Sequence, residues 1–60
     1  MWELVQVVGD ASSETLGEYD TEERALAAAQ EAMDYSVALY TVRQDGTDVW
    51  SNESGSFQRV

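Results

Sequence analysis

One segment of this sequence predicts a helix, and short apolar runs flank it on both sides. The helix is predicted near residues 21–34, because Asp20 or Thr21 offers a side-chain oxygen that can accept a hydrogen bond from the first turn. Glu22 and Glu23 follow, where the helix dipole favours negative charge. A single helix can cover only one face of a sheet, and this limit governs every fold available to the chain.

The predicted helix carries one stripe suited to contact with a sheet. At about 100° per residue, small and apolar side chains share one arc. They are Leu26, Met33, Ala29, Ala25 and Ala32. Alanine in this stripe lets the helix axis approach a sheet closely, and the leucine and methionine supply the larger contacts.

The runs on either side of the helix predict strands, because they are short and rich in β-branched and aromatic residues. The predicted strands lie near residues 2–8, 15–19, 37–43 and 48–51. A turn is expected over residues 9–14, and a partly flexible tail over residues 52–60. The sequence therefore predicts a single α+β domain over residues 1–60, a small antiparallel sheet of three to four strands in ββαββ order with one helix packed on one face.

The last two predicted strands are expected to form a hairpin. Asp45-Gly46 is a dipeptide favoured in two-residue hairpin loops, where both positions need positive φ. The residues expected to face one another across this hairpin are Val42 with Val49 and Thr41 with Trp50.

The predicted strands are apolar on both faces, which one helix cannot cover. A half-exposed antiparallel sheet ordinarily alternates apolar with polar residues. In the first strand, however, Trp2 and Leu4 lie on one side and Val5 and Val7 on the other. We therefore predict a homodimer in which a second copy covers the second face. The predicted dimer face consists of Val5, Val7, Tyr40 and Val42. The alternative is a monomer with an apolar patch of tolerable size.

Acidic residues outnumber basic residues by twelve to three, and the net charge is −9. Nucleic-acid binding depends on Lys and Arg at phosphates, so this balance predicts no direct nucleic-acid partner. It also disfavours an anionic membrane surface. The apolar run from Leu4 to Val8 is far too short to span a membrane, and no basic segment precedes it as in a signal peptide. We expect a soluble, cytoplasmic protein.

The acidity itself has several interpretations. It is either a solvated surface or a surface that meets a basic protein. The absence of lysine also resembles the composition of halophilic proteins from a high-salt cytoplasm. The acids that the helix start does not explain are the candidate partner-binding residues, namely Glu14, Glu18, Asp34, Asp45, Asp48 and Glu53.

The composition disfavours catalysis and metal binding. The chain has neither histidine nor cysteine, which removes the commonest general base, the commonest metal ligand and all thiolate chemistry. Its serines have no histidine or lysine to activate them, and the ligand spacing of an EF-hand loop is absent. We predict no catalytic residue, no metal site and no cofactor.

Three segments carry a resemblance to known proteins. They are YDTEERALAAAQEA (Tyr19 to Ala32), RQDGT (Arg43 to Thr47) and ESG (Glu53 to Gly55). Together they resemble a family of small bacterial and archaeal domains of unknown function, although this chain lacks the family's usual basic content. The resemblance implies a hairpin–helix–hairpin fold and no biochemical activity. A second resemblance, carried by Thr21 to Ala25, is to small antitoxins in which such a helix follows a hairpin.

These observations favour a non-catalytic protein-interaction or regulatory module. It would self-associate through an apolar sheet face and present an acidic rim to a basic partner. One alternative is a nucleic-acid-mimicking inhibitor of a DNA- or RNA-binding protein, with carboxylates at spacings near those of phosphates. Another is a domain adapted to high salt that has no acid-specific partner.

Overall fold

The computed structural model of this protein describes residues 1–9 and 12–60. These residues form a five-stranded antiparallel sheet with one helix across one face. In chain order the elements are β1 (Trp2–Val8), β2 (Ser12–Tyr19), α1 (Glu22–Tyr35), β3 (Leu39–Gln44), β4 (Thr47–Ser51) and β5 (Gln58–Arg59). Across the sheet the strands lie in the order β2-β1-β3-β4-β5.

The predicted α+β class and the single helix are confirmed, and the strand count is corrected from three or four to five. The additional strand, β5, lies in the segment predicted as a partly flexible tail and pairs with β4. β2 begins at Ser12, within the turn predicted over residues 9–14. Residues 10 and 11 of that predicted turn lie outside the described residues.

Side chains hold both ends of α1. Thr21 is the N-cap, and its Oγ1 accepts a hydrogen bond from the backbone N–H of Arg24 at 3.2 Å. At the other end, the Tyr40 hydroxyl lies 3.1 Å from the carbonyl oxygen of Ser36 and 3.3 Å from that of Ala32. The Ala32 carbonyl already accepts the backbone N–H of Ser36 at 3.0 Å, so the hydroxyl, which has one hydrogen, adds a shared contact at this carbonyl and at that of Ser36. Tyr40 therefore ties the end of α1 to the sheet.

The core lies between α1 and the two central strands. Ala25 and Ala29 are completely buried against Leu4 of β1 and against Tyr40 and Val42 of β3. Because alanine has no side chain beyond Cβ, the helix backbone approaches the strands closely. The half-buried residues around this cluster include Trp2, Tyr19, Leu26, Met33, Trp50 and Phe57.

The register between β1 and β3 decides which residues share a face. Leu4 lies opposite Val42, and both belong to the core beneath α1. Val5 lies opposite Thr41, so both are on the other face, because successive side chains of a strand point to opposite sides.

The β3–β4 hairpin contains the expected two-residue loop but not the expected pairs. Asp45 and Gly46 both have positive φ, of 51° and 84°. The observed pairs are Gln44–Thr47, Arg43–Asp48, Val42–Trp50 and Thr41–Ser51. The register shifts between Val42 and Arg43, and Val49 is the extra residue of β4. This β-bulge makes the predicted pairs of Val42 with Val49 and Thr41 with Trp50 wrong, and it directs Trp50 towards the helix side.

Asn52 extends the pairing of β3 and β4 beyond the end of β4. Its side-chain Oδ1 accepts from the backbone N–H of Tyr40 at 2.7 Å, and its Nδ2 donates to the carbonyl of Ala38 at 2.9 Å. The residue is 5% exposed. The amide therefore provides a partner for the backbone N–H of Tyr40 within β3 and for the carbonyl of Ala38 just before β3.

The first turn of α1 is joined to the last strands by a cluster of three side chains. The Trp50 Nε1 donates to the Glu22 carboxylate at 3.2 Å, and the Arg59 Nη2 lies 3.5 Å from the same oxygen. The Arg59 guanidinium also lies 5.0 Å from the centre of the Trp50 ring. Glu22 therefore connects the first turn of α1 to β4 and β5. Its negative charge also lies at the N-terminus of the helix, where the helix dipole is positive.

Candidate functional site

The face of the sheet opposite α1, called the open face below, carries an apolar patch. Val7 and Leu39 lie opposite each other on β1 and β3, and they are 38% and 47% exposed. Val60 lies beside them and lines the same cleft of about 310 Å³. Val5 is next to this patch and is almost completely buried, although α1 lies on the other face. The patch is therefore the exposed part of an otherwise well-packed surface.

The charges on the open face are partly neutralised. The Nε of Arg43 lies 2.6 Å from the Asp48 carboxylate, across the β3–β4 pair. On its other side, Arg43 lies opposite Glu3 of β1, and Glu3 lies opposite Glu18 of β2. One end of the open face thus carries charged residues of both signs, and the cleft with Val7, Leu39 and Val60 is also lined by the exposed acids Asp48 and Glu53.

The structure corrects the grouping of the four residues predicted as a dimer face. Val5 and Val7 lie on the open face, whereas Tyr40 and Val42 lie beneath α1 and are 2% and 0% exposed. The sequence alternation is correct within each strand. The error lies in joining one side of β1 to the wrong side of β3, where Leu39 is the true neighbour of Val7.

The six candidate partner-binding acids do not form one row. All of them are exposed, but they are distributed over both halves of the sheet and the end of the helix. Glu14 and Glu18 lie on β2, Asp34 near the end of α1, Asp45 and Asp48 in the β3–β4 hairpin, and Glu53 after β4. Two of them have partners, since Asp48 binds Arg43 and Asp45 lies 2.8 Å from the Met1 ammonium.

Another cleft, of about 370 Å³, lies near the end of α1 and the start of β3. Its lining is mainly apolar and includes Met33, Val37 and Ala38. Glu53 is the titratable residue among those that line it, so the cleft holds no acid–base pair of described residues. Among residues 1–9 and 12–60, no group of three or more carboxylate side chains is placed to hold a metal ion.

Sequence reasoning missed Leu39 and Val60 as members of the exposed patch. Leu39 follows from the alternation of β3 once the register with β1 is known. Val60 has no local signal, because its position depends on the pairing of β5 with β4 and on its N–H donating to the Val49 carbonyl at 3.0 Å.

No family model, curated protein or solved structure matches this chain. The two family resemblances stated above therefore stay untested. Within the described ranges, the structure contains no helix with the length and apolar character that crossing a bilayer requires.

Proposed function

We propose that this protein is a non-catalytic protein-interaction module that associates with a second copy of itself through the open face. The observation that carries the proposal is the asymmetry of the sheet. The described residues place their single helix on one face, and Val7, Leu39 and Val60 stay exposed together on the other. Burial of such side chains is favourable by about 25 cal/mol for each Å² of apolar surface.

A second copy is the occupant that this face suits best. Twofold symmetry places the same patch opposite itself, so Leu39 and Val7 of one copy meet their counterparts. The paired Arg43 and Asp48 at the charged end lower the local repulsion between two copies. The net charge of −9 on each copy still opposes association, and added salt screens this repulsion.

Sedimentation equilibrium of the wild type and of Leu39→Thr tests the proposal. We expect a dimer that strengthens from about 0.05 to 1 M KCl as exposed charges are screened. Each dimer with Leu39→Thr loses two apolar side chains, so its dissociation constant should rise by at least about tenfold. A wild type that is monomeric at every salt concentration contradicts the proposal.

Leu16→Thr is the matched control. Leu16 is also a strand leucine, and its 44% exposure is close to the 47% of Leu39, but it lies on the helix side of β2. We expect this variant to dimerise like the wild type. Circular dichroism on the same samples separates salt-dependent association from salt-dependent folding. Structure that is gained only above about 1 M KCl would favour a domain adapted to high salt.

A further inference from the structure

The free edge of β2 and the groove beside it form a second candidate binding site, separate from the open face. In the described part of the chain, β2 pairs with β1 on one side and with no strand on the other. It has eight residues, whereas β5 at the opposite edge has two. Alternate residues of an edge strand direct their N–H and C=O groups outward, where an added strand can pair with them.

The groove lies between β2 and α1 and has a volume of about 340 Å³. β2 contributes Leu16 and Tyr19 to its lining, and α1 contributes Ala28, Ala32 and Tyr35. The buried side of the helix lies over β1 and β3, and β2 lies at the edge of the sheet next to β1. The groove exists because the helix leaves part of β2 uncovered. Apolar side chains of an added strand would therefore contact an open, shallow surface on the helix side.

A β-bulge places Leu16 at this groove. The register of β1 and β2 sets Leu4 opposite Gly17 and Val5 opposite Thr15. Leu16 is the extra residue between these pairs, and it lies with the helix-side residues while 44% of it stays exposed. Bulges commonly redirect a side chain in this way next to binding sites.

Acidic side chains surround the edge and the groove. Glu31 lines the groove, and Glu14 and Glu18 are exposed on β2. These three form no ion pair with any described residue, whereas each arginine of the chain lies within 4.0 Å of an acid. The register places Glu14 opposite Gln6 and so on the helix side with Glu31, whereas Glu18, opposite Glu3, lies on the other side. Glu18 therefore shares the side of basic side chains that point away from the groove, and Glu14 and Glu31 add to the negative potential that attracts a basic strand.

We propose that β2 binds an extended peptide as an added strand, and that this peptide alternates apolar with basic residues. Side chains on the helix side of the added strand enter the groove beside Leu16. The intervening side chains point the other way, towards the side of β2 that carries Glu18. Backbone hydrogen bonds supply affinity, and the groove and the acids supply the sequence preference.

The inference rests on the proposed role in protein interaction but not on self-association. The peptide uses the edge and the groove, and the second copy uses the open face. A protein that proves monomeric can still bind the peptide, and a dimer can fail to bind it. The two proposals can therefore fail separately.

Calorimetric titration with the capped peptide Lys-Val-Arg-Leu-Lys-Val-Arg tests the added strand. Two further peptides have the same sequence and charge but carry backbone N-methyl groups. One is methylated at the odd-numbered residues and the other at the even-numbered residues, so each blocks the N–H groups along one edge of the added strand. We expect one methylated peptide to bind like the parent, because its methyl groups point away from β2. The other should bind at least about tenfold more weakly, because it loses the inward N–H groups. Equal binding of both methylated peptides and the parent would mean that charge alone attracts them, and it would overturn the proposal.

Leu16→Thr and Leu39→Thr locate the site. Leu16→Thr should weaken binding of the parent peptide by about tenfold through loss of the apolar contact. Leu39→Thr should leave binding unchanged, because Leu39 lies on the open face. If Leu16→Thr bound the parent peptide as tightly as the wild type does, the result would contradict the assignment of the groove as part of the binding site.

Sedimentation with saturating peptide identifies the alternative occupant of the edge. A dimer that persists with peptide bound supports two separate surfaces. A dimer that dissociates on peptide addition would mean that the second copy and the peptide compete for β2, and it would overturn the assignment of two separate surfaces.

Discussion

The two faces of the sheet carry similar side chains in different surroundings. Leu4 on the covered face is 2% exposed and contacts Ala25 and Ala29 of α1. Leu39 on the open face is 47% exposed, and the described helix lies on the opposite side. The comparison teaches that the apolar content of a strand does not identify the core. The helix buries Leu4, whereas on the other face Val5 is buried among its neighbours and Val7, Leu39 and Val60 stay exposed.

The largest expected difference between the faces comes from removing one leucine from each. Leu4→Ala should lower the free energy of unfolding by about 2–5 kcal/mol, because it leaves a cavity beneath α1. A domain of this size has a stability of that same order, so much of the variant should be unfolded. Leu39→Ala should cost less than about 1 kcal/mol in the monomer, because half of its side chain is already exposed.

Urea denaturation followed by far-ultraviolet circular dichroism measures both effects. Samples dilute enough to be monomeric keep association out of the comparison. Equal losses in Leu4→Ala and Leu39→Ala would contradict the division of the faces into a core side and an open side.

The next largest effect is expected at Asn52, which joins the covered face to the chain beyond β4. Asn52→Ala removes the two side-chain bonds to Tyr40 and Ala38 and leaves a buried N–H and a partly buried C=O without these partners. We expect a loss of about 1–3 kcal/mol in the free energy of unfolding. Asn52→Asp is the matched variant, because it keeps the acceptor for the Tyr40 N–H and loses the donor to Ala38. Asn52→Asp should also lower the free energy of unfolding. If Asn52→Ala were as stable as the wild type, the side-chain bonds of Asn52 would contribute little to stability.

A smaller effect is expected from the hydroxyl that connects the covered face to the helix end. Tyr40→Phe keeps the buried ring and removes the bonds to the Ser36 and Ala32 carbonyls, at a cost of about 0.5–1.5 kcal/mol. Tyr35→Phe is the control, since Tyr35 is 88% exposed. Thermal unfolding should separate the two variants, and equal melting temperatures would argue against a role for the hydroxyl.

The smallest effect is expected from the ion pair on the open face. Arg43→Gln removes the contact with Asp48. The Arg43 side chain is 34% exposed, and the Asp48 side chain is 48% exposed. Pairs with this exposure contribute about 0.2–1 kcal/mol, and salt reduces the contribution. The loss measured by urea denaturation at low salt should shrink in about 1 M KCl. A loss that salt does not change would mean that Arg43 acts through contacts of its aliphatic stem.

The sequence predicted the local elements well because their signals are local. α1 begins one residue after the predicted start, since Thr21 is its cap, and the Asp45-Gly46 loop has the positive φ values that its residues favour. The assignment of Tyr40 and Val42 to the dimer face failed for a different reason. No turn connects β1 directly to β3, so nothing local fixes their register, and an error of one residue exchanges the faces.

The candidate site was predicted less completely than the fold. Val5 and Val7 were placed on the face opposite Leu4, and the structure agrees with that alternation. The contribution of Val60 depends on β5, a two-residue strand with no hydrophobic pattern of its own. The groove beside Leu16 depends on a bulge, and a bulge in one strand is visible only against the register of its partner.

The strand order has a consequence for the speed of folding. The β1–β2 and β3–β4 pairs and α1 each join residues that are near in sequence, whereas the β1–β3 pair joins Leu4 to Val42 across the helix. Closing that long loop costs entropy before the contacts between its ends repay it, so we expect it to limit the rate. Stopped-flow refolding should then be slowed by substitutions at Val5 and Thr41, whereas substitutions in the outer half of either hairpin should mainly accelerate unfolding.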